Sequence, residues 1–274
     1  MRIALLQMCS GIDPAENTAT IVQAAKDAAA GGAAMLFTPE MSGLVDRDRA
    51  RANHAIVVED ENIVLSGVRT AARSAGIIVA LGSLALRGGH DKWVNRSFVI
   101  GADGAIVARY DKIHLFDVDL PSGESWRESS VYQGGTVPIA AKMDALTIGL
   151  TVCYDLRFPE LFRALAKAGA QLIAVPSAFT RPTGAAHWET LLRARAIETG
   201  AFIVAAAQSG VHADGRETWG HSLVVDPWGS VLLDMGSATG LAFCDIDLAM
   251  VADVRQRIPA LANARPIGDV QVMS

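Results

Sequence analysis

Two kinds of hydrophobic pattern alternate along this chain. Short runs rich in aliphatic and β-branched residues predict strands at 2–8, 33–38, 77–86, 93–100, 105–110, 146–152, 171–176, 202–207, 221–225, 230–233 and 241–246. Several are apolar at nearly every position, as strands are when both faces are covered. Between them lie stretches with helical period and clear punctuation. Asp13-Pro14-Ala15-Glu16 offers an N-cap, a proline at the first helical position and a capping glutamate, and Gly31 closes that helix. Pro159-Glu160 opens a second helix that Gly169 ends; a third is predicted over 185–199 before Gly200, with Glu189 and Arg193 spaced as an i,i+4 pair. Two more are expected near 61–75 and 247–257. Residues 113–136, with Pro121, glycines and several serines, show no sustained period. A loop of that length inside a compact domain is usually functional or disordered, and we read it as pocket-forming. The pattern is that of one α/β domain, residues 1–274, with mixed sheets.

Composition narrows the function classes. The 274 residues are 51% hydrophobic and 19% charged, enough apolar material for a large single core. A formal net charge of −5 offers no electrostatic reason to hold nucleic acid or an anionic membrane surface. The longest later apolar run, 201–207, falls far short of the ~20 residues that span a bilayer. The opening apolar stretch is shorter than a secretory core of ~7–15 residues, so a reducing, cytoplasmic setting is expected. The three cysteines, Cys9, Cys153 and Cys244, show no C-x-x-C spacing and cannot all pair. They are therefore read as thiols.

One of the three is placed for chemistry. Cys153 falls where a predicted strand ends and the Pro159 helix is about to begin, a corner that presents a nucleophile above a sheet. The nearby helix N-terminus would favour its thiolate, the form that attacks carbonyls. Cys9 and Cys244, inside predicted strands, are read as small buried hydrophobes. Glu40 directly follows a buried strand and a proline, where desolvation can raise a carboxyl toward general-base duty. Lys112 also follows a strand. Alone, Glu40 reads as an ordinary loop glutamate and Lys112 as a solvated cation, and no periodicity brings the three together. The six histidines have no metal-ligand spacing, and His187 and His221 are read as buttresses of the site or core. A G-x-S-x-G elbow, a phosphate loop and a G-x-G-x-x-G turn are all missing from the chain.

Three segments in order resemble the nitrilase (carbon–nitrogen hydrolase) superfamily: Phe37-Thr38-Pro39-Glu40, then Tyr110-Asp111-Lys112-Ile113-His114-Leu115-Phe116, then Val152-Cys153-Tyr154-Asp155-Leu156-Arg157-Phe158-Pro159-Glu160. Ala186-His187-Trp188-Glu189 and Trp219-Gly220-His221-Ser222 support the likeness, which covers nearly the whole chain. The resemblance implies a four-layer α-β-β-α sandwich, no cofactor and no metal, a small-molecule amide substrate, and a homodimer or higher homo-oligomer. It also implies roles: Glu40 as general base, Lys112 as oxyanion stabiliser, Cys153 as nucleophile, and Glu128 as a second glutamate orienting the lysine.

The implied reaction turns an amide into acid and ammonia through a cysteine thioester. The C-terminal half resembles the branches acting on deaminated glutathione and on ω-amides of keto acids, and the segment 121–127 matches neither closely. Arg157 is then the expected partner of a substrate carboxylate, or else a structural cap near the Pro159 helix. Tyr154 would offer its backbone N–H to the oxyanion, and Phe116 and Phe179 would wall the pocket or sit in the core. N-carbamoyl amino-acid or simple aliphatic amide hydrolysis is a rival within catalysis. A catalytically silent scaffold dimer is the rival outside it, disfavoured because Glu40, Lys112 and Cys153 are all retained.

Overall fold

The strand Arg2–Gln7 shows how the architecture is built. Every residue after Arg2 is buried, and successive side chains enter different cores: Ile3 and Leu5 one, Ala4 and Leu6 another. A strand apolar on both faces needs a layer on each side. The structure, a computed structural model of the chain, describes residues 1–273 apart from 90, 120–122, 124 and 144–145. Pro121, singled out in the sequence, and His90, one of the six histidines, lie outside the described residues.

In chain order the elements are β1 (Arg2–Gln7), α1 (Pro14–Ala30), β2 (Met35–Phe37), α2 (Arg49–Ala55), α3 (Ile63–Ala75), β3 (Ile78–Arg87), β4 (Trp93–Ile100), β5 (Ile106–Asp111), β6 (Asp117–Asp119), β7 (Ser125–Arg127) and β8 (Ile139–Lys142). They continue as β9 (Thr147–Leu150), α4 (Pro159–Lys167), β10 (Leu172–Ala174), α5 (Arg181–Thr199), β11 (Phe202–Ala205), β12 (Ser209–Val211), β13 (Glu217–Trp219), β14 (Leu223–Val225), β15 (Val231–Asp234), β16 (Gly240–Asp245) and α6 (Ala249–Arg257). Two six-stranded mixed sheets result, ordered β16-β1-β2-β3-β4-β5 and β15-β14-β11-β10-β9-β8. Ile3, Leu5, Met35 and Phe37 of the first sheet join one core with Ile148, Leu150 and Ile203 of the second and with Phe162 and Trp188 of α4 and α5. Ala4, Leu6, Leu36 and Val79 pack with Ile21, Val64 and Val68 of α1 and α3. The layers are therefore α-β-β-α, as the resemblance implied.

Local chemistry sets the helix ends. The Asp13 carboxylate accepts from Ala15 N at 2.8 Å to cap α1, and Asn62 accepts from Leu65 N at 2.9 Å to cap α3. Gly76 and Gly200 end α3 and α5 in the left-handed conformation. Three expectations need correcting. Helix α5 starts at Arg181, ahead of the predicted 185, because Gly184 leaves room against Trp219, where a Cβ would overlap the indole. The short helix α2, capped by Asp48, carries too little apolar period to be seen in the sequence. Residues 113–136 are not structureless: β6 and β7 pair antiparallel, with Asp117 opposite Arg127, and a 3-10 turn follows at Glu128–Ser130. The β12–β13 hairpin and β8 were also missed.

Gly82 is where the fold comes closest to the chemistry. A Cβ there would overlap the carbonyl oxygens of Thr38 and Pro39, immediately ahead of Glu40. Overpacking of this kind typically costs about 1–3 kcal/mol. We expect Gly82→Ala to lower stability by at least that much in urea denaturation and to lower activity further than the stability loss explains. Wild-type behaviour in both would contradict this packing.

Candidate active site

Four loops at strand ends converge on one buried cluster. Glu40 follows β2 across Thr38-Pro39. Thr38 Oγ1 there accepts from Gly82 N at 3.0 Å, Ser42 Oγ donates to Pro39 O at 2.6 Å, and Gln208 Nε2 donates to Glu40 O at 2.9 Å. Met41, next in the chain, has φ +54°, so the turn that aims the carboxylate is tight. Lys112 follows β5, its backbone N–H donating to Asn95 O at 2.9 Å. Cys153 follows β9 and opens a 3-10 turn that runs into α4.

The cysteine backbone is itself strained. Its φ is +50°, a region that non-glycine residues rarely occupy, and strain of this kind persists only where the surroundings over-determine it. Two groups do so here. Cys153 N donates to Pro176 O at 2.9 Å. The fully buried Asp155 takes Tyr110 Oη at 2.7 Å, Val152 N at 2.9 Å and His114 N at 3.0 Å.

The Lys112 ammonium is 2% exposed and sits between two carboxylates. It donates to Glu40 Oε1 at 3.1 Å and to Glu128 at 2.8 and 3.1 Å. Asn95 Nδ2 touches both acids, at 2.9 Å from Glu40 and 3.4 Å from Glu128. Glu40 Oε2 accepts the backbone N–H of Ala178 at 3.0 Å, and Glu128 Oε2 that of Phe116 at 2.6 Å. Burial alone would push the ammonium down, but the Glu128 and Glu40 carboxylates outweigh it and hold its pKa well above the free lysine value of 10.5.

Burial has the opposite result at the thiol. Desolvation first, and the Glu40 carboxylate second, push the Cys153 thiol well above 9.0, with Lys112 and the Ala178 N–H opposing. The expected helix-terminus thiolate is thus corrected: at rest the cysteine is a thiol beside a carboxylate. Cys9 is also corrected, since it lies past the end of β1 and is exposed, while Cys244 is buried in β16 as read.

These residues open into a cavity of about 280 Å³ lined also by Phe116, Tyr154 and Phe179. Arg157 stands outside that lining. Its guanidinium lies 5.8 Å from the Tyr154 ring and 5.7 Å from the Phe179 ring, with Nη2 3.3 Å from His187 Nδ1. His221, the other expected buttress, pairs with Asp234 at 3.0 Å, and its carbonyl accepts from Trp188 Nε1.

The profile of the family described as carbon-nitrogen hydrolase matches residues 2–256. The chain belongs to the carbon–nitrogen hydrolase family. A deaminated glutathione amidase of Yersinia enterocolitica is 40% identical over 266 residues, 96% of this chain and 92% of that one. The Caenorhabditis elegans NitFhit protein superposes with a TM-score of 0.85 at 36% identity, covering 96% of this chain and 65% of that longer one. An amidase of the nitrilase superfamily from Nesterenkonia sp. AN1 superposes with a TM-score of 0.82 at 30% identity, covering 97% and 96% of the two chains. Another structure of that amidase carries acrylamide added to its active-site cysteine.

Within this family fold, sequence reading missed Asn95 and Asp155. Asn95 had one visible signal, a polar residue in the interior of the apolar strand β4; Asp155 lay inside a quoted motif without a role. Arg47, Arg49 and Arg216, which also line the cavity, had no signal.

The two shifted groups set a pH dependence. Both pKa values are raised on folding, so the native state holds their protons more tightly than the unfolded chain. Their stabilisation is present below the unfolded values, 9.0 for the thiol and 10.5 for the ammonium, and is lost as pH rises through the folded ones. Urea midpoints should fall from about pH 9 upward, and Cys153→Ala should make the earlier part of the fall shallower, the Cys9 and Cys244 thiols, also raised by burial, supplying the rest. A midpoint that rises over this range would contradict the arrangement.

Proposed function

We propose that this carbon–nitrogen hydrolase cleaves deaminated glutathione through a Glu40–Lys112–Cys153 triad oriented by Glu128. The observation that carries the reading is the buried Lys112 ammonium clamped between Glu40 and Glu128 beside the Cys153 thiol. The name of the Yersinia enterocolitica relative supports the substrate.

Glu40 takes the thiol proton as Cys153 Sγ attacks the amide carbonyl carbon. Moving a proton from the thiol to an adjacent carboxylate leaves the net charge of the buried cluster unchanged, so the step avoids the cost of creating a new buried charge. The tetrahedral oxyanion is stabilised by the Lys112 ammonium and the Tyr154 backbone N–H. Glu40 then gives its proton to the departing nitrogen, and a thioester remains. Water, deprotonated by the same carboxylate, attacks the thioester carbonyl, and the acid leaves as the thiol is restored.

Deaminated glutathione holds only secondary amides. The departing group is therefore the amine of cysteinylglycine, and the ammonia expected from the ω-amide analogy belongs to α-ketoglutaramate instead. Arg157 is the proposed partner of the keto-acid carboxylate. In support, no ion pair joins it to any carboxylate among the described residues, and the Tyr154 and Phe179 rings beside it line the cavity. A reducing, cytoplasmic location suits a thiol nucleophile, and a homo-oligomer remains part of the proposal.

The test is a parallel assay of cysteinylglycine release from deaminated glutathione, and ammonia release from α-ketoglutaramate and an N-carbamoyl amino acid. We expect a preference of at least about tenfold in kcat/KM for the first and no activity in Cys153→Ala. Lys112→Met should lower kcat by about 10²–10³, the usual cost of losing one oxyanion donor. Preference for α-ketoglutaramate or the carbamoyl substrate would overturn the substrate; activity in Cys153→Ala would overturn the triad.

A further inference from the structure

Beyond the triad, the cavity has a cationic wall. It is built by the segment that follows Glu40, where Met41, Leu44, Val45, Asp46, Arg47 and Arg49 line the space, and by Arg216 at the start of β13's approach. Arg216 is held in place by a tight turn. His212 N donates to Arg216 O at 2.8 Å, Arg216 N donates to Asp214 Oδ1 at 2.9 Å, and Gly215 supplies the left-handed residue at φ +82°. His212 anchors that turn by contacts of 2.9 Å with Ser10 O and 2.8 Å with Thr218 Oγ1.

The charges here do not cancel. Arg47, Arg49, Arg51 and Arg216 face Asp46, Asp48 and Asp214, which leaves one positive charge in excess among the described residues of this cluster. Asp46 is taken up by Arg51 at 2.6 Å, and Asp48 caps α2. Arg47 and Arg216 share Asp214 at 3.8 and 3.4 Å, longer than a good charge-assisted hydrogen bond. Arg49 donates to Ser130 Oγ.

Two buried donors on this wall are also unsatisfied. Among the described residues, Arg216 Nε and Trp126 Nε1 are shielded from solvent and make no hydrogen bond, nor does Asp214 Oδ2, which meets Arg216 only as an ion pair at 3.4 Å; the Arg216 guanidinium lies 5.0 Å from the Trp126 ring centre. A buried N–H without an acceptor is costly, and such groups in a cavity wall point to an acceptor brought by a ligand.

We propose that Arg216, with Trp126, Arg47 and Arg49, forms a subsite for a carboxylate carried by the amine half of the substrate. The inference rests on the amidase reading above and adds the side of the scissile bond. Glu40 hands its proton to the departing nitrogen, so the amine half lies on the Glu40 side. The segment that leaves Glu40 carries Arg47 and Arg49, and Asp214 links Arg47 to Arg216 at 3.8 and 3.4 Å. Arg157 stands apart, behind Tyr154 and Phe179, which leaves it for the acyl half. The enzyme thus selects amides with an acid at both ends over those that release ammonia or an uncharged amine.

The experiment compares deaminated glutathione with its C-terminal carboxamide, identical except for the terminal charge. Charged hydrogen bonds of this kind discriminate by about tenfold or more. Wild-type enzyme should favour the acid by at least that factor, mostly in KM, and Arg216→Gln should bring the ratio of kcat/KM close to one. Arg216→Lys, which keeps the charge and loses the fork, should fall between. A merely structural role for Arg216 would lower both substrates together and keep the ratio, which would overturn the proposal, as would a wild type indifferent to the carboxamide.

If neither amide is turned over while acrylamide still alkylates Cys153, the substrate reading fails. The subsite is then read by protection. Cysteinylglycine should slow alkylation at a lower concentration than its amide does, and Arg216→Gln should erase that difference; equal protection by both in the wild type would overturn the subsite.

Discussion

Everything in this molecule's active centre depends on keeping one ammonium ion buried between two carboxylates. Lys112 has no route to water that would repay its desolvation, so Glu40 and Glu128 must both stay within hydrogen-bond reach. Asn95 donates toward both acids, and the backbone N–H groups of Ala178 and Phe116 donate to Glu40 Oε2 and Glu128 Oε2. The cluster is left with one negative charge in excess. That excess, with burial, keeps Cys153 protonated, and Glu40, 72 residues from Lys112 in the chain yet 3.1 Å from its ammonium, is the proposed destination of its proton. In the proposed reaction the thiol is primed not by a low pKa but by a neighbouring carboxylate that takes its proton without changing the total charge.

The two-sheet architecture is what brings the parts together. Glu40 and Lys112 leave the first sheet at β2 and β5, while Cys153 and Ala178 leave the second after β9 and β10. The sheets pack through one shared core, so a strand that shifts in either layer moves an acid relative to the thiol. Gly82 and the positive φ of Cys153 mark where backbone from the two layers is pressed closest to the chemistry.

Much of this was legible in the amino-acid pattern, and the limits have physical reasons. Strands such as β1 and β4 were visible because both faces are apolar and turn residues bound them. The helices α1 and α4 were visible through their prolines and caps. Residues paired by short hairpins escaped, because β6, β7, β12 and β13 are three residues each and carry too few side chains for a period. Cys153 stood out by its place at a strand-to-helix corner, but its protonation state was misread. The helix terminus was visible in the sequence, whereas desolvation and the Glu40 charge depend on tertiary packing. Asn95, Asp155 and Arg216 act through neighbours far away in the chain, and no local spacing announces them.

The central claim is that the substrate's acyl group passes through a thioester on Cys153 with Glu40 moving the protons. Rapid acid quench of the enzyme with deaminated glutathione, followed by peptide mass spectrometry, tests it directly. The account predicts an added ketoglutaryl group on the peptide containing Cys153 during turnover, absent in Cys153→Ala and absent or much slower to form in Glu40→Gln. Steady turnover with no such adduct, or an adduct on Cys9 or Cys244 instead, would contradict it.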